Sequence, residues 1–161
     1  MVGVTEFRAM RRKERQISKE EAIRLLQNGE YGVLATFGDD GWPYGVPLSY
    51  VYEDGKLYFH CAREGHKLDN LRSTEKASFT VVGNTHVLQE QFSTAYESVI
   101  AFGVVKPLPN KEKVHALLCI AKKYCYDYPE QAEKYAEKAQ ENVAVYCMEI
   151  LHLTGKKRPE G

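Results

Sequence analysis

The residues with most capacity for chemistry lie in one short stretch, residues 58–67, reading Tyr-Phe-His-Cys-Ala-Arg-Glu-Gly-His-Lys. A strand-like run leads into it and a helix-like run leaves it, with Gly65 at the junction. Such a junction presents unbonded backbone amides at a helix N-terminus, where the helix dipole favours negative charge. Phosphate is the common guest of a site of this kind. Lys67, in the first turn, supplies a point charge, and Arg63 in the loop can add to it. His60 and His66 can donate hydrogen bonds to phosphate oxygens. An ordinary connection with a solvated Lys67 fits the same ten residues, so the pattern alone leaves both readings open.

The strand ahead of this segment carries a second signal. In the run Trp42, Pro43, Tyr44, Gly45, Val46, Pro47, Leu48, Ser49, a proline sits where a ladder needs a donor. The backbone around Pro47 is thereby freed from regular pairing. A flat heteroaromatic ring asks for unpaired amides and carbonyls at its edge and apolar side chains against its face. An edge strand or a bulge with no ligand is the other reading, and Pro47 by itself favours it.

Other combinations carry less. His60, Cys61, His66 and His86 include both soft and imidazole ligands, but His60 and Cys61 are adjacent and point to opposite faces of a strand. No metal is expected there. Ser73, Ser78 and Ser93 lack the flanking partners of a nucleophilic triad. Tyr124, Tyr126, Tyr128 and Tyr135 read as helix packing rather than a stacking platform.

These residues must be positioned by an ordered run of elements. Ser18 followed by Glu21 forms a capping box that starts a helix with Ala22, Ile23, Leu25 and Leu26 on its apolar face, and Asn28-Gly29 stops it. Residues 31–37 form a first strand, and the turn signal Gly38-Asp39-Asp40-Gly41 returns the chain into a second over residues 43–52. Asp54-Gly55 turns into a third strand over 56–61. A short helix follows over 65–72, with Leu68 and Leu71 on one side. A fourth strand spans 77–82 and a fifth 96–105, ended by Pro107. Val114, Leu117, Leu118 and Ala121 repeat at helical spacing over 110–125. Tyr128-Pro129 breaks that helix, and a charge-laced helix follows over 130–141. Residues 142–153 return to strand character. Five closely spaced strands, two late helices and a returning strand indicate an α+β barrel with helical additions.

The chain of 161 residues suits one domain, expected at residues 16–155 between an N-terminal arm (1–15) and a C-terminal tail (156–161). Lys plus Arg and Asp plus Glu number 22 each, so nothing points to nucleic acid or an anionic membrane as a partner. No apolar run approaches the roughly 18–20 residues of a membrane helix, and residues 1–10 lack a secretory stretch. The scattered cysteines, Cys61, Cys119, Cys125 and Cys147, form no C-x-x-C pair and are expected as free thiols in the cytoplasm.

The order of these elements, with G-V-P-L-S-Y, then L-Y-F-H-C-A-x-x-G-H-K-L-x-N-L, then Y-E-S-V-I-A-F-G, resembles the pyridoxamine-phosphate-oxidase-like flavin split-barrel superfamily, and within it the nitroimidazole-resistance (Nim-type) branch. The resemblance spans residues 11–152. It implies a six-stranded antiparallel split β-barrel with flanking helices, assembled as a homodimer with FMN at the interface. By the same resemblance Val46, Pro47, Leu48 and Ser49 run beside the isoalloxazine, largely through their backbone. His60, Cys61, Ala62 and Lys67 hold the phosphate, with Arg63 available from the loop, and Ser98 is a further flavin contact. A histidine near the flavin is implicated in Nim-type activity, which falls here on His60 or His66.

The implied activity is that of a flavin oxidoreductase. FMN would take hydride from NAD(P)H and reduce a small acceptor, with nitroaromatics such as a 5-nitroimidazole in view. A haem-binding or haem-handling protein on the same barrel and a non-catalytic flavin sensor are the alternatives. Pyridoxamine-phosphate oxidases carry basic residues on the flavin strand and an arginine-rich C-terminal substrate motif. The strand P-Y-G-V-P-L-S-Y has no basic residue and the tail is H-L-T-G-K-K-R-P-E-G, which argues against vitamin oxidation.

Overall fold

The computed structural model describes residues 7–161, so the first six residues of the expected arm lie outside the description. After a 3-10 turn at Lys13–Arg15, helix α1 (Lys19–Asn28) starts on the capping box: Glu21 N donates to Ser18 Oγ at 3.2 Å, and Ser18 N donates to Glu21 Oε2 at 2.9 Å. Its Ala22, Leu25 and Leu26 are buried. Seven strands follow: β1 (Gly32–Phe37), β2 (Pro43–Leu48), β3 (Val51–Glu53), β4 (Lys56–Cys61), β5 (Lys76–Leu88), β6 (Ser93–Pro107) and β7 (Ala144–Arg158). Helix α2 (His66–Ser73) lies between β4 and β5, and α3 (Asn110–Tyr124) and α4 (Pro129–Ala139) lie between β6 and β7.

All strand pairs are antiparallel, in the order β2-β1-β5-β6-β7-β4-β3. The two edges, β2 and β3, are consecutive in the chain and joined only through Ser49 and Tyr50. From Leu48 to Val51 the chain reaches at most about 11 Å. In a flat sheet of this size the edges would be about 29 Å apart. The sheet therefore curls until its edges nearly meet without hydrogen-bonding to each other. This is an α+β fold, an open barrel with flanking helices.

Among the described residues the strand count is seven rather than six, because residues 43–52 do not form one strand. Tyr50 is fully buried, its amide donates to the Tyr124 hydroxyl at 3.0 Å, and its own hydroxyl donates to Leu26 O at 2.5 Å. Those bonds serve the edge-to-edge crossover and take Tyr50 out of any ladder. The β3–β4 hairpin turns at Asp54 (φ 46°) and Gly55 (φ 81°), the pair of positive φ angles that a two-residue hairpin matching strand twist requires.

Strand ends differ from the sequence reading in two places. β5 and β6 run beyond Val82 and before Tyr96 as a two-stranded ribbon with Phe92 fully exposed near its tip. Most ribbon residues are exposed, so there is no inside-outside alternation to read. β7 continues through Lys156, Lys157 and Arg158, which pair with Ser98, Glu97 and Tyr96. These basic residues are strand and not tail, because ladder bonds use the backbone and are indifferent to side-chain charge. The Lys157 ammonium also meets Glu97 Oε1 at 2.8 Å.

Two apolar clusters hold the fold. The larger fills the barrel with Leu34, Leu57, Phe59, Phe79, Val81, Val99 and Met148, sealed by α1 and by Leu68 and Leu71 of α2. The smaller lies between the sheet and α3/α4, with Tyr58, Leu117, Ile120, Ala136 and Val145. No described helix is long and apolar enough to cross a membrane.

Candidate functional site

Strand β4 is buried on both faces, and the alternation decides where its chemistry goes. Leu57, Phe59 and Cys61 pack toward the barrel core, while Tyr58 and His60 face the α3 side. His60 thereby enters a cavity of about 470 Å³ with Ser49 from the crossover, Leu117, Ile120 and Tyr124 of α3, and Tyr128 and Tyr135 of the α4 region. The volume lies within the range of small-molecule sites, and the lining is mostly apolar with a few polar groups. His60 Nδ1 is buried and has no hydrogen-bond partner among the described residues. Burial lowers the imidazole pKa below its ordinary 6.5, so His60 is held uncharged.

The glycine junction forms a second feature. Gly65 takes φ 138° and ψ 167°, a conformation that disfavours a side chain, and a Cβ there would meet nothing within 4 Å. Leu68 and Asp69 donate to Gly65 O at 2.9 and 3.1 Å. The amides of His66 and Lys67 come one step earlier and have no helical carbonyl behind them. Lys67 is half-buried and close enough to the Cys61 thiol to oppose the upward shift that burial imposes on it. Leu68 and Leu71 anchor α2 in the core, and Asn70 Nδ2 donates to Thr36 Oγ1 of β1 at 3.0 Å. The helix N-terminus is thus rigidly placed and open to solvent. Ala62 and Arg63 are exposed in the loop before it.

The candidate residues do not form one cluster. His66 stays outside the cavity: its Nε2 lies 3.2 Å from Asp40 Oδ2 and its ring is 4.1 Å from that of Tyr44, so it clasps the β1–β2 hairpin. On β2, Val46 and Leu48 pack against the barrel core, whereas Gly45 and Pro47 are exposed. Pro47 is tolerated because β2 is an edge strand with one side unpaired. Ser98 lies in a separate groove of about 280 Å³ with Arg12, Phe102, His152 and Lys156.

The cavity wall contains residues that the sequence reading assigned to helix packing. Tyr128 and Tyr135 are exposed at its rim. The Tyr124 hydroxyl lies 2.6 Å from Glu30 O and 2.9 Å from Tyr50 O, pinning the crossover that carries Ser49. No spacing rule announces the set, because Tyr124 closes α3, Tyr128 caps α4 and Tyr135 lies within it. The break at Pro129 lets the two helices fold back and bring the three tyrosines to one cavity.

A profile of the family described as pyridoxamine 5'-phosphate oxidase matches residues 18–157. The chain belongs to this family. Among solved structures, this family member is similar to a candidate 5-nitroimidazole antibiotic resistance protein from Bacteroides thetaiotaomicron, at 26% identity and TM-score 0.77, covering 88% of this chain and 86% of that one. It is similar in fold to a FAD-binding protein from Mesorhizobium loti (23% identity, TM-score 0.63, 90% and 98% covered). The same holds for a FAD- and haem-binding protein from Mycobacterium smegmatis (18%, TM-score 0.75, 89% and 73% covered). No curated protein matches the sequence.

Proposed function

We propose that the protein binds FMN and acts as an NAD(P)H-dependent oxidoreductase on a small acceptor, with nitroaromatics such as a 5-nitroimidazole as the substrate class. The observation that carries the reading is the open N-terminus of α2, with the free amides of His66 and Lys67 and the half-buried Lys67, on the chain segment next to the uncharged His60. The α2 terminus suits a phosphate monoester, since its first amides take no side-chain cap and Lys67 stands in its first turn. Arg63 adds charge from the loop, and Cys61 and Ala62 set the path of the chain between strand and helix. The exposed edge of β2 around Pro47, with Ser49 beyond it, suits the rim of a flat ring, as sequence resemblance implies for Val46 to Ser49.

FMN would supply two-electron transfer between nicotinamide and acceptor. The chain's own part is positioning and exclusion of water. His60 presents an uncharged imidazole to an apolar cavity, where Nδ1 can donate a hydrogen bond to a bound substrate in the tautomer that carries its proton there. The tyrosine rim narrows access to planar molecules. The uncovered faces of Gly45, Pro47, Ile100 and Phe102 fit the expected homodimer, with the flavin between subunits, and Ser98 would face that seam.

The test is the absorbance of the protein as isolated, followed by anaerobic addition of NADH or NADPH. Flavin bands that bleach, and recover on addition of a nitroimidazole, support the reading; a protein that takes up no flavin overturns it. Flavin bands that stay oxidised would identify a non-catalytic flavin module. His60 also favours a second reading, since an unpartnered imidazole in an apolar cavity is a haem-ligand type, and one structural neighbour binds haem as well as FAD. A Soret band lost in His60→Ala would establish that alternative.

A further inference from the structure

We propose that Glu53, His115 and Cys119 form a binding site for a divalent cation of the zinc class, independent of the flavin reading. His115 and Cys119 are one turn apart on α3 and so share a side of the helix. Glu53 reaches them from the end of β3, at the edge of the sheet. Glu53 Oε2 is 2.7 Å from His115 Nε2, Cys119 Sγ is 3.5 Å from Glu53 Oε1, and Cys119 Sγ is 3.5 Å from His115 Nε2.

Those lengths are close to what a metal would impose. With zinc bonds of about 2.3 Å to sulfur and 2.0–2.2 Å to nitrogen and oxygen, neighbouring donors of a tetrahedron sit about 3.3–3.6 Å apart. The Cys119–His115 edge already has that length, and so does the edge from Cys119 to Glu53 Oε1. Glu53 meets His115 through its other oxygen, Oε2, and binding would replace that hydrogen bond as the carboxylate turns one oxygen toward the ion. The Tyr58 ring meets His115 edge-on, with centroids 6.2 Å apart, and limits the rotation of the imidazole.

The donor set also selects the ion. One thiolate, one imidazole and one carboxylate suit zinc and its tetrahedral analogue cobalt, and do not suit magnesium or calcium, which take oxygen ligands. Glu53 and Cys119 are half-buried and His115 is exposed, which leaves an entry path and a fourth position for water. Binding releases the Cys119 thiol proton, now held by burial and by the Glu53 carboxylate, and breaks the Glu53–His115 hydrogen bond. Lys122 lies close enough to favour the thiolate.

The position gives the ion a purpose. The β3–β4 hairpin carries His60, and α3 supplies Leu117, Ile120 and Tyr124 to the same cavity. A cation held by Glu53, His115 and Cys119 would tie the sheet edge to the helix that walls the cavity.

The test is cobalt titration of the full chain after treatment with EDTA, read by difference absorbance so that any bound flavin cancels, and then displacement by zinc. The expected result is a thiolate-to-cobalt band at one ion per chain, bleached by zinc. Cys119→Ser should remove the band. Cys119→Ser and His115→Gln should each weaken zinc binding by at least about a hundredfold, beyond the loss usual for groups outside the first ligand shell. His115 is exposed, so its variant keeps the test valid if Cys119→Ser disturbs packing. Cys125→Ser and His86→Gln should change nothing. No thiolate band in the parent chain, or a band that persists in Cys119→Ser, overturns the proposal.

Discussion

Lys123 carries its ammonium to a buried position without a hydrogen-bond partner among the described residues, 3.9 Å from the centroid of the Tyr50 ring. Burial lowers its pKa from the ordinary 10.5 to about 8. That drop corresponds to about 3 kcal/mol of destabilisation near pH 7 before solvent screening. Because the side chain is only half-buried, roughly 1–2 kcal/mol remains. The Tyr50 ring face returns about 0.5–1 kcal/mol through attraction of the cation.

Lys123→Met keeps the length of the stem and removes the charge, so it should stabilise the protein by about 1 kcal/mol near pH 7. The sign with pH follows from proton counting. Between about pH 8 and 10.5 the unfolded chain keeps this proton while the folded protein loses it, so the stability of the parent rises with pH across that window. Below it both states are protonated and the penalty is constant. The advantage of the methionine variant should therefore shrink toward zero as pH approaches 10.5. Urea unfolding followed by far-ultraviolet circular dichroism at several pH values measures this; Trp42 is 73% exposed and is a poor probe of the core. A variant less stable than the parent at neutral pH, or one whose advantage is the same across the window, refutes the reasoning.

Lys67→Ala should weaken FMN binding roughly ten- to hundredfold, the loss of one charge-assisted contact, as read by quenching of flavin fluorescence; unchanged affinity would place the phosphate elsewhere. His60 is held uncharged below its ordinary pKa of 6.5, so the stability it contributes is complete above that value and is lost as pH falls through it toward the lower folded value. His60→Phe should flatten that part of the acid limb in urea midpoints, and an acid limb identical to the parent's would show that His60 is not buried as described. Ser18→Ala removes the hydroxyl half of the α1 capping box and should cost about 1 kcal/mol, seen as a melting temperature lower by about 2–4 °C.

The sequence by itself determined what depends on a few neighbouring residues. The Ser18–Glu21 box, the Asp54-Gly55 hairpin turn and the glycine junction before α2 are all legible, because each satisfies its own backbone within about one turn of chain. The opposite facing of His60 and Cys61 was legible for the same reason, since strand geometry dictates it. Family membership followed from motifs built on these local units.

Tertiary structure decided which of these units meet. That residues 43–52 split into two strands depended on Tyr124, which lies 74 residues from Tyr50 and satisfies its amide. Ser49 comes opposite His60 by continuing the β3–β4 register. It is the packing of α3 and α4 over that hairpin that makes a cavity there, while Ser98 lies in another groove. Glu53 reaches His115 across 62 residues, and no spacing rule within α3 could announce it. Local signals end where the chain leaves its own hydrogen-bonding range. Beyond that, contacts are set by how a seven-stranded sheet must bend to let two residues bridge its edges.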